Sequence, residues 1–494
     1  MAAPFDSDCS ASFEAFRVPR TLRDFGHSPR ITDASGSAAG SCAGDPDVRT
    51  VLIMLWPEYG AFNASLPLAK RLRNNAFDPV YCGPVTFEAY IRDQGFEYLA
   101  FPDHSTSDLG NCGSGLAGWF RRKTAHYRAL SDQRNDRLAQ LTNWLMARRL
   151  ALALVDPLMW GLLPPLLGSG VPILNLNTML CSPWTAAYPP VFSDIVPAVP
   201  PSTLACFWSA GAWFALCWIR ALKYEWVDNF WYLLARTASN RNSRRAKALI
   251  HSSGGKLCFG EFGPRLVAPE LMLSPSDFDF PEAAQRPGRC YVGACVDPDR
   301  RESSFSWATL RPDKPLLYCS LGTYSHMYPH SRRLFHAVVS AIKDNENWQA
   351  IVQIGSTGLP HDFGPIPPHI LIVNKVPQIA ILKRSSIFVT HAGFSSIRES
   401  LYCGVPMIAF PCWLDQPGNA ARVVYHNVGV RGNISSITPS GITTLMRAVQ
   451  DSGIRAAVHS MQRRFVMQES CQAGVDQILK IFSGRERAST GRKP

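Results

Sequence analysis

Charge is what this chain has least of. Asp, Glu, Lys and Arg make up 18% of its 494 residues, against about a quarter in an average soluble domain. The imbalance is basic, 50 Lys plus Arg against 38 Asp plus Glu. These cations are scattered along the sequence, which argues against a nucleic-acid-binding protein. No C-x-x-C pair occurs among the 14 cysteines. The closest pair, Cys290 and Cys295, has no histidine at zinc-ligand spacing, which argues against a structural zinc site. Cys206, Cys217, Cys319 and Cys403 lie in apolar runs and read as small packed hydrophobes of a reducing cytosol. Residues 1–47 lack the apolar stretch of a signal peptide and read as a flexible leader, as does the tail from Gly484 to Pro494. No triplet glycine period and no 20–50-residue repeat is present, so collagen and solenoids are excluded.

Apolar residues, by contrast, are plentiful: 46% of the chain, with 13 Trp and 26 Phe. A packed core is therefore expected, with apolar surface to spare. The uncharged run Ile195–Ile219 holds Trp208, Trp213 and Trp218. Pro197, Pro200 and Pro201 delay any helix to Ser202, leaving about 18 residues where crossing a bilayer takes about 20. Trp226, Trp231 and Tyr232 follow, then the basic run Arg236, Arg241, Arg244, Arg245 and Lys247. A greasy pocket or core, or an interfacial surface, fits this pattern better than a span.

Short apolar runs alternate with helical stretches. Val51–Leu55, Val80–Cys82, Tyr98–Phe101, Leu152–Val155 and Ile173–Leu176 form one series of strands. Leu316–Ser320, Ala350–Ile354, Ile370–Val373, Ile387–Thr390 and Met407–Phe410 form a second, with helices such as His330–Lys343 and Ile379–Arg384 between them. Such alternation predicts parallel sheets covered on both faces. Two series predict an α/β protein of two Rossmann-like, doubly wound domains facing across a cleft. The expected division is a leader (1–47), an N-terminal domain (48–290), a linker (291–312), a C-terminal domain (313–465), and a terminal helix with a flexible tail (466–494). Ligands of such sheets bind beyond the carboxyl ends of the strands.

The most informative stretch runs from Ile387 to Arg422. A buried strand ends at Thr390, His391-Ala392-Gly393 turns, and a helix starts near Phe394. Gly404 and Pro406 stop that helix. A helix start after a strand offers free N–H groups and a positive dipole end to an anion. Gly393 permits close approach, while Ser395, Ser396 and His391 add donors. A plain capping box, Ser396-x-x-Glu399, is the competing reading, and Asp415-Gln416-Pro417-Gly418 taken alone is an ordinary turn.

The joint pattern H-x-G-x-x-S-x-x-E, G-x-P, a strand and P-x-x-x-D-Q-x-x-N-A resembles the sugar-nucleotide signature of UDP-dependent glycosyltransferases of the GT-B fold. Bacterial macrolide and zeaxanthin-type enzymes resemble it most. Val376-Pro377-Gln378, Ser320-Leu321-Gly322-Thr323 and Trp56-Pro57-Glu58-Tyr59-Gly60 lie upstream in the matching order, so the resemblance spans roughly residues 48–465. It implies a UDP- or dTDP-linked sugar as co-substrate, with no further cofactor and no metal. The acceptor would be a hydrophobic small molecule or lipid, and the sugar a hexose transferred with inversion. His391, Gly393, Ser395 and Ser396 would hold the diphosphate, with Ser320 and Thr323 at its edge. Glu399 would take the ribose hydroxyls, Val376 and Gln378 the base, and Asp415 and Gln416 the sugar. Trp213 and Trp218 would face the acceptor. A cytoplasmic protein follows, with peripheral membrane contact as an added option.

Two positions depart from the family pattern. Lys375 stands where plant members stack a Trp on uracil. Ala61 stands where the family carries its catalytic His, although the matching orienting carboxylate, Asp156, is present. Asp156 acting alone or through water, an acidic acceptor, and a base from Asp103 or His104 are the alternatives. So are a pseudo-enzyme that binds the nucleotide sugar or a partner, and a nucleotide-sugar epimerase. The Asp-x-Asp pairs at 45/47, 277/279 and 297/299 sit in loop-like contexts, where a metal role is not expected.

Overall fold

The structure, a computed structural model, describes residues 49–101, 115–180, 185, 188–197, 202–220, 222, 227, 229–235, 247–252, 255–261, 263–281, 287–308, 310–358, 360–468 and 471–490. The leader, Asp103, His104, the 45/47 aspartate pair and Trp226 lie outside the described residues.

The N-terminal half opens with β1 (Arg49–Met54), α1 (Tyr59–Arg73), β2 (Phe77–Pro84), α2 (Glu88–Asp93) and β3 (Glu97–Phe101). It continues through α3 (Gly115–Ala147), β4 (Leu150–Val155), α4 (Leu163–Ser169) and β5 (Ile173–Asn177). Next come α5 (Thr203–Arg220), α6 (Asn229–Leu234), the hairpin β6 (Leu257–Gly260) and β7 (Gly263–Leu266), β8 (Glu270–Met272) and β9 (Arg289–Tyr291). Its main sheet has the order β3-β2-β1-β4-β5-β8-β9 with all neighbours parallel. Val51 to Leu55 are fully buried, because a parallel strand has helices on both faces and needs apolar side chains on each.

The C-terminal half follows: β10 (Leu316–Ser320), α7 (Ser331–Lys343), β11 (Gln349–Gln353), β12 (Ile370–Val373), α8 (Gln378–Leu382), β13 (Ile387–Thr390) and α9 (Phe394–Tyr402). Then come β14 (Met407–Ala409), α10 (Gln416–Tyr425), β15 (Gly429–Arg431), α11 (Pro439–Ala448), α12 (Ser452–Met467) and α13 (Gln472–Thr490). Its parallel sheet is ordered β12-β11-β10-β13-β14-β15, the doubly wound order of a dinucleotide fold. α7 shows why its residues form a helix. Leu334, Phe335, Val338 and Ile342 recur at helical spacing and are fully buried against the sheet, giving one apolar stripe.

Strand order reverses between β1 and β4 in the first sheet, and between β10 and β13 in the second. Both crevices of this kind are natural ligand sites. They face each other, because the Ser395 hydroxyl at the start of α9 donates to the Gly60 carbonyl at 3.2 Å. Behind this contact the halves are joined by buried polar links. Arg422 on α10 grips Asp279 at 2.7 and 3.1 Å, Gly418 donates to the Val191 carbonyl at 2.8 Å, and Arg398 reaches the Leu273 carbonyl. A Cβ on Gly418 would collide with the Val191 backbone, so glycine is what allows that approach. α13 returns to the first half, placing Val475 and Ile478 in its core and Phe482 at 5.7 Å from Phe77.

The tryptophan-rich run forms α5, and no described helix is long and apolar enough to cross a membrane. The helix is turned inside out. Ser209 and Trp213 face inward, while Leu204, Phe207, Trp208, Phe214 and Trp218 are exposed.

Candidate active site

The β13–α9 turn is built around His391. Ala392 adopts a left-handed conformation (φ 62°), held by Asn419, whose amide donates to the Ala392 carbonyl at 3.1 Å and to Asp415 at 2.8 Å. The His391 ring lies against two glycines. A Cβ on Gly322 would come within 2.8 Å of its Cε1, and one on Gly393 would run into its Nε2. Tyr328 stacks on it at 5.8 Å. Burial pushes the His391 pKa down to about 4, partly offset by the Ser320 backbone, so the ring is neutral at pH 7 and offers an N–H without carrying charge. Gly393 is the N-cap of α9 and supplies no side-chain cap, so the first-turn N–H groups receive no cap from it. The capping-box reading fails. Glu399 does not turn back to its helix end but accepts from Gln378 at 2.8 Å and from Arg300.

That ion pair places Arg300, from the segment joining the two halves, on both oxygens of the intended ribose ligand. Arg300 also holds Glu302 at 2.5 Å. Gln378 reaches Ser396 at 3.4 Å and accepts from the Tyr318 hydroxyl at 3.3 Å. Val376 is buried in the core of the C-terminal half, so any contact with a base falls to its backbone. Lys375 lies 5.9 Å from the Tyr59 ring across the cleft. Ser320 is buried at the end of β10, its hydroxyl accepting from Gly322 N–H at 3.2 Å, while Thr323 beyond it is exposed.

At the other end of the site, burial raises Asp415 to about pH 6 against the opposing hydrogen bond from Asn419. Gln416 is largely committed to its own loop. Its oxygen accepts from Cys412 and Trp413 N–H at 2.9 and 3.1 Å, and its amide donates to the Tyr328 hydroxyl at 3.1 Å.

Facing this from the first half, Asp156 at the end of β4 accepts from Leu158 N–H at 2.9 Å and Thr178 at 3.2 Å. Burial nevertheless raises it to about 6. It forms part of the wall of a cavity with Thr178, Glu261 and Arg265. Ala61 is buried on α1. Trp213 departs from its expected role. It is buried, with its indole N–H donating to the Tyr188 carbonyl at 3.0 Å, so it packs the fold and has no free face for an acceptor. Trp218 is exposed and stacks on Phe214 at 6.5 Å. Three of the four aspartates in the remaining pairs are occupied by cations: Asp279 by Arg422, Asp277 by Arg464, Asp297 by Lys70. Among the described residues no group of His, Cys, Asp and Glu could hold a metal ion.

Sequence reasoning passed over Glu58, Arg300 and Asn419 as individual site residues. For Glu58 and Asn419 a signal existed, since each lies within a quoted motif. Arg300 carried none, because linker composition says nothing about which side chain folds inward.

Two parallel, doubly wound sheets with opposed switch points define the GT-B class. A solved glycosyltransferase of kitacinnamycin shares the fold with TM-score 0.62 at 21% identity, covering 88% of this chain and 99% of that one. Residues 301–458 match the family model described as UDP-glucoronosyl and UDP-glucosyl transferase. The NDP-glycosyltransferase YjiC of Bacillus subtilis is 28% identical over 203 residues, 40% of this chain and 50% of that protein. The oleandomycin glycosyltransferase of Streptomyces antibioticus is 35% identical over 130 residues, 26% and 29% of the two chains. The matches thus span half or less of these relatives.

Proposed function

We propose that the protein is a glycosyltransferase that moves a sugar from a UDP- or dTDP-linked donor to a hydrophobic acceptor by direct, inverting displacement. One observation carries this reading. A neutral His391, wedged between Gly322 and Gly393, sits beside an uncapped helix start at the switch point of the second sheet, directly opposite the β1–α1 turn. Neutral donors fixed before binding stabilise charge as it develops on the leaving diphosphate, without the reorganisation that water would need. Asp415, kept in place by Asn419, offers a carboxylate to sugar hydroxyls. No metal is invoked: Asp277, Asp279 and Asp297 of the Asp-x-Asp pairs already neutralise two arginines and a lysine. The exposed apolar face of α5 supports a hydrophobic acceptor, and peripheral membrane contact is the other use such a face suits.

The test is calorimetry with UDP-glucose and dTDP-glucose, followed by mass spectrometry of products from a panel of hydrophobic alcohols and phenols. His391→Ala should weaken donor binding by roughly ten- to a hundredfold, the worth of about 1.5–3 kcal/mol of hydrogen bonding to a charged group. Unaltered affinity would remove the foundation of the reading. A second reading, a nucleotide-sugar-binding pseudo-enzyme, is favoured by Ala61 at the usual base position. It predicts donor binding without consumption.

A further inference from the structure

Ala61 leaves the start of α1 without an imidazole, but not without a base. Glu58 stands one helical turn earlier, as the N-cap residue, its carbonyl accepting from Ala61 and Phe62 N–H at 3.0 and 3.2 Å. An acidic N-cap ordinarily turns its side chain back onto the first N–H groups of its helix. Glu58 does not. Its Oε1 instead accepts from the Trp56 indole N–H at 3.3 Å, leaving the rest of the half-buried carboxylate uncommitted.

The groups that feel this carboxylate come from both halves of the molecule. Asp156 at the end of β4 lies on its own side. Asp415 before α10, with Tyr324 and Tyr328 after β10, lies on the other. The contact between Ser395 and Gly60 brings the same turn onto the diphosphate cradle. Glu58 therefore stands between the first sheet's switch point and the sugar end of the donor site. Asp156 is less suited to meet an acceptor itself, since it is almost fully buried and each of its oxygens already accepts a hydrogen bond.

Resting on the glycosyltransferase reading, we propose that Glu58 is the general base of the transfer. The acceptor hydroxyl gives its proton to the Glu58 carboxylate as its oxygen bonds to the anomeric carbon. The bond from that carbon to the diphosphate oxygen breaks, and its electron pair leaves with the nucleoside diphosphate. Burial first, then Asp415 and more weakly Asp156, raise the Glu58 pKa to about 7 against the lowering effect of Trp56. That value suits a base working near neutrality.

The experiment compares wild type with Glu58→Gln, using whichever of UDP-glucose and dTDP-glucose the wild type consumes. Two acceptors are used, cinnamyl alcohol and 4-nitrophenol, the latter ionised at mildly alkaline pH. With the alcohol, kcat should fall by about 10²–10⁴-fold, the usual worth of a general base. With the nitrophenolate, which has no proton to lose, the fall should stay within about tenfold. Wild-type transfer to the alcohol should rise with pH through about 7 and level off, and that limb should vanish in the variant. Formate should partly restore alcohol transfer in Glu58→Ala. Equal losses with both acceptors, or an unmoved pH limb, would overturn the assignment of Glu58 while leaving transfer itself intact. Donor bound but never transferred by the wild type would instead overturn the enzyme reading, and Glu58's role with it.

Discussion

The buried titrating residues of the molecule oppose one another. His391 and His426 are both pushed down to about 4 by burial. Unfolding lets them take up protons below about 6.5, so their contribution to stability is complete above that value and drains away as pH falls towards 4. Glu58, Asp156 and Asp415 run the other way. Their pKa values are raised to about 7, 6 and 6, so their contribution is complete in acid and is lost as pH rises through those values. Glu58→Gln should therefore raise the melting temperature at pH 8 relative to wild type, and do so much less at pH 5. A melting curve indifferent to the substitution at both pH values would mean that Glu58 carries no such strain. Catalytic groups held against their solvation preference commonly cost stability in this way.

At the scale of elements, the strand–turn–helix from β13 to α9 is the unit on which the proposed donor site rests. Its glycine at 393 serves close approach: the backbone there is extended, with φ −62°, and only the His391 ring forbids a side chain. Gly393→Ala should displace that ring and weaken donor binding by at least tenfold, while the melting temperature moves by only a few degrees. Full affinity in the variant would show that ring placement is immaterial. This unit was readable from the sequence because its signals are local: a short apolar run, a glycine turn, and a Gly-x-Pro stop. The strands named from apolar runs were readable for the same reason. β6, β7, β8, β9 and β15 were not legible, each being short and carrying a Gly, Pro or charged residue. The orientation of α5 was not legible either. Uncharged up to its last residue, Arg220, it has no polar stripe to mark its buried face, and so Trp213 and Trp218 looked alike. The ion pair of Arg300 with Glu399 depends on chain closure over long separation, which no local pattern encodes.

At the scale of the molecule, the two halves are bolted together by charge in the interior. Asp279 is almost fully buried, and burial alone would raise its pKa. Arg422 and Arg289, with the Tyr291 hydroxyl, more than offset that and hold it below the usual carboxylate range. Its contribution is thus present above about pH 4 and lost as pH falls through the lowered folded value. Asp279→Asn strands Arg422 in the interior and should cost about 3–5 kcal/mol, read from denaturant midpoints at pH 7. A loss under about 1 kcal/mol would show that the two halves dock without it.

The returning helix α13 has a consequence for biosynthesis. The sheet that leaves the ribosome first is missing Val475 and Ile478 from its core, and these are made only after the entire second sheet. The first-made half must therefore wait, with apolar surface uncovered, until the later half has been translated. Its maturation is coupled to that of its neighbour, and a chain stalled before Gln472 would expose its damage in the half already synthesised.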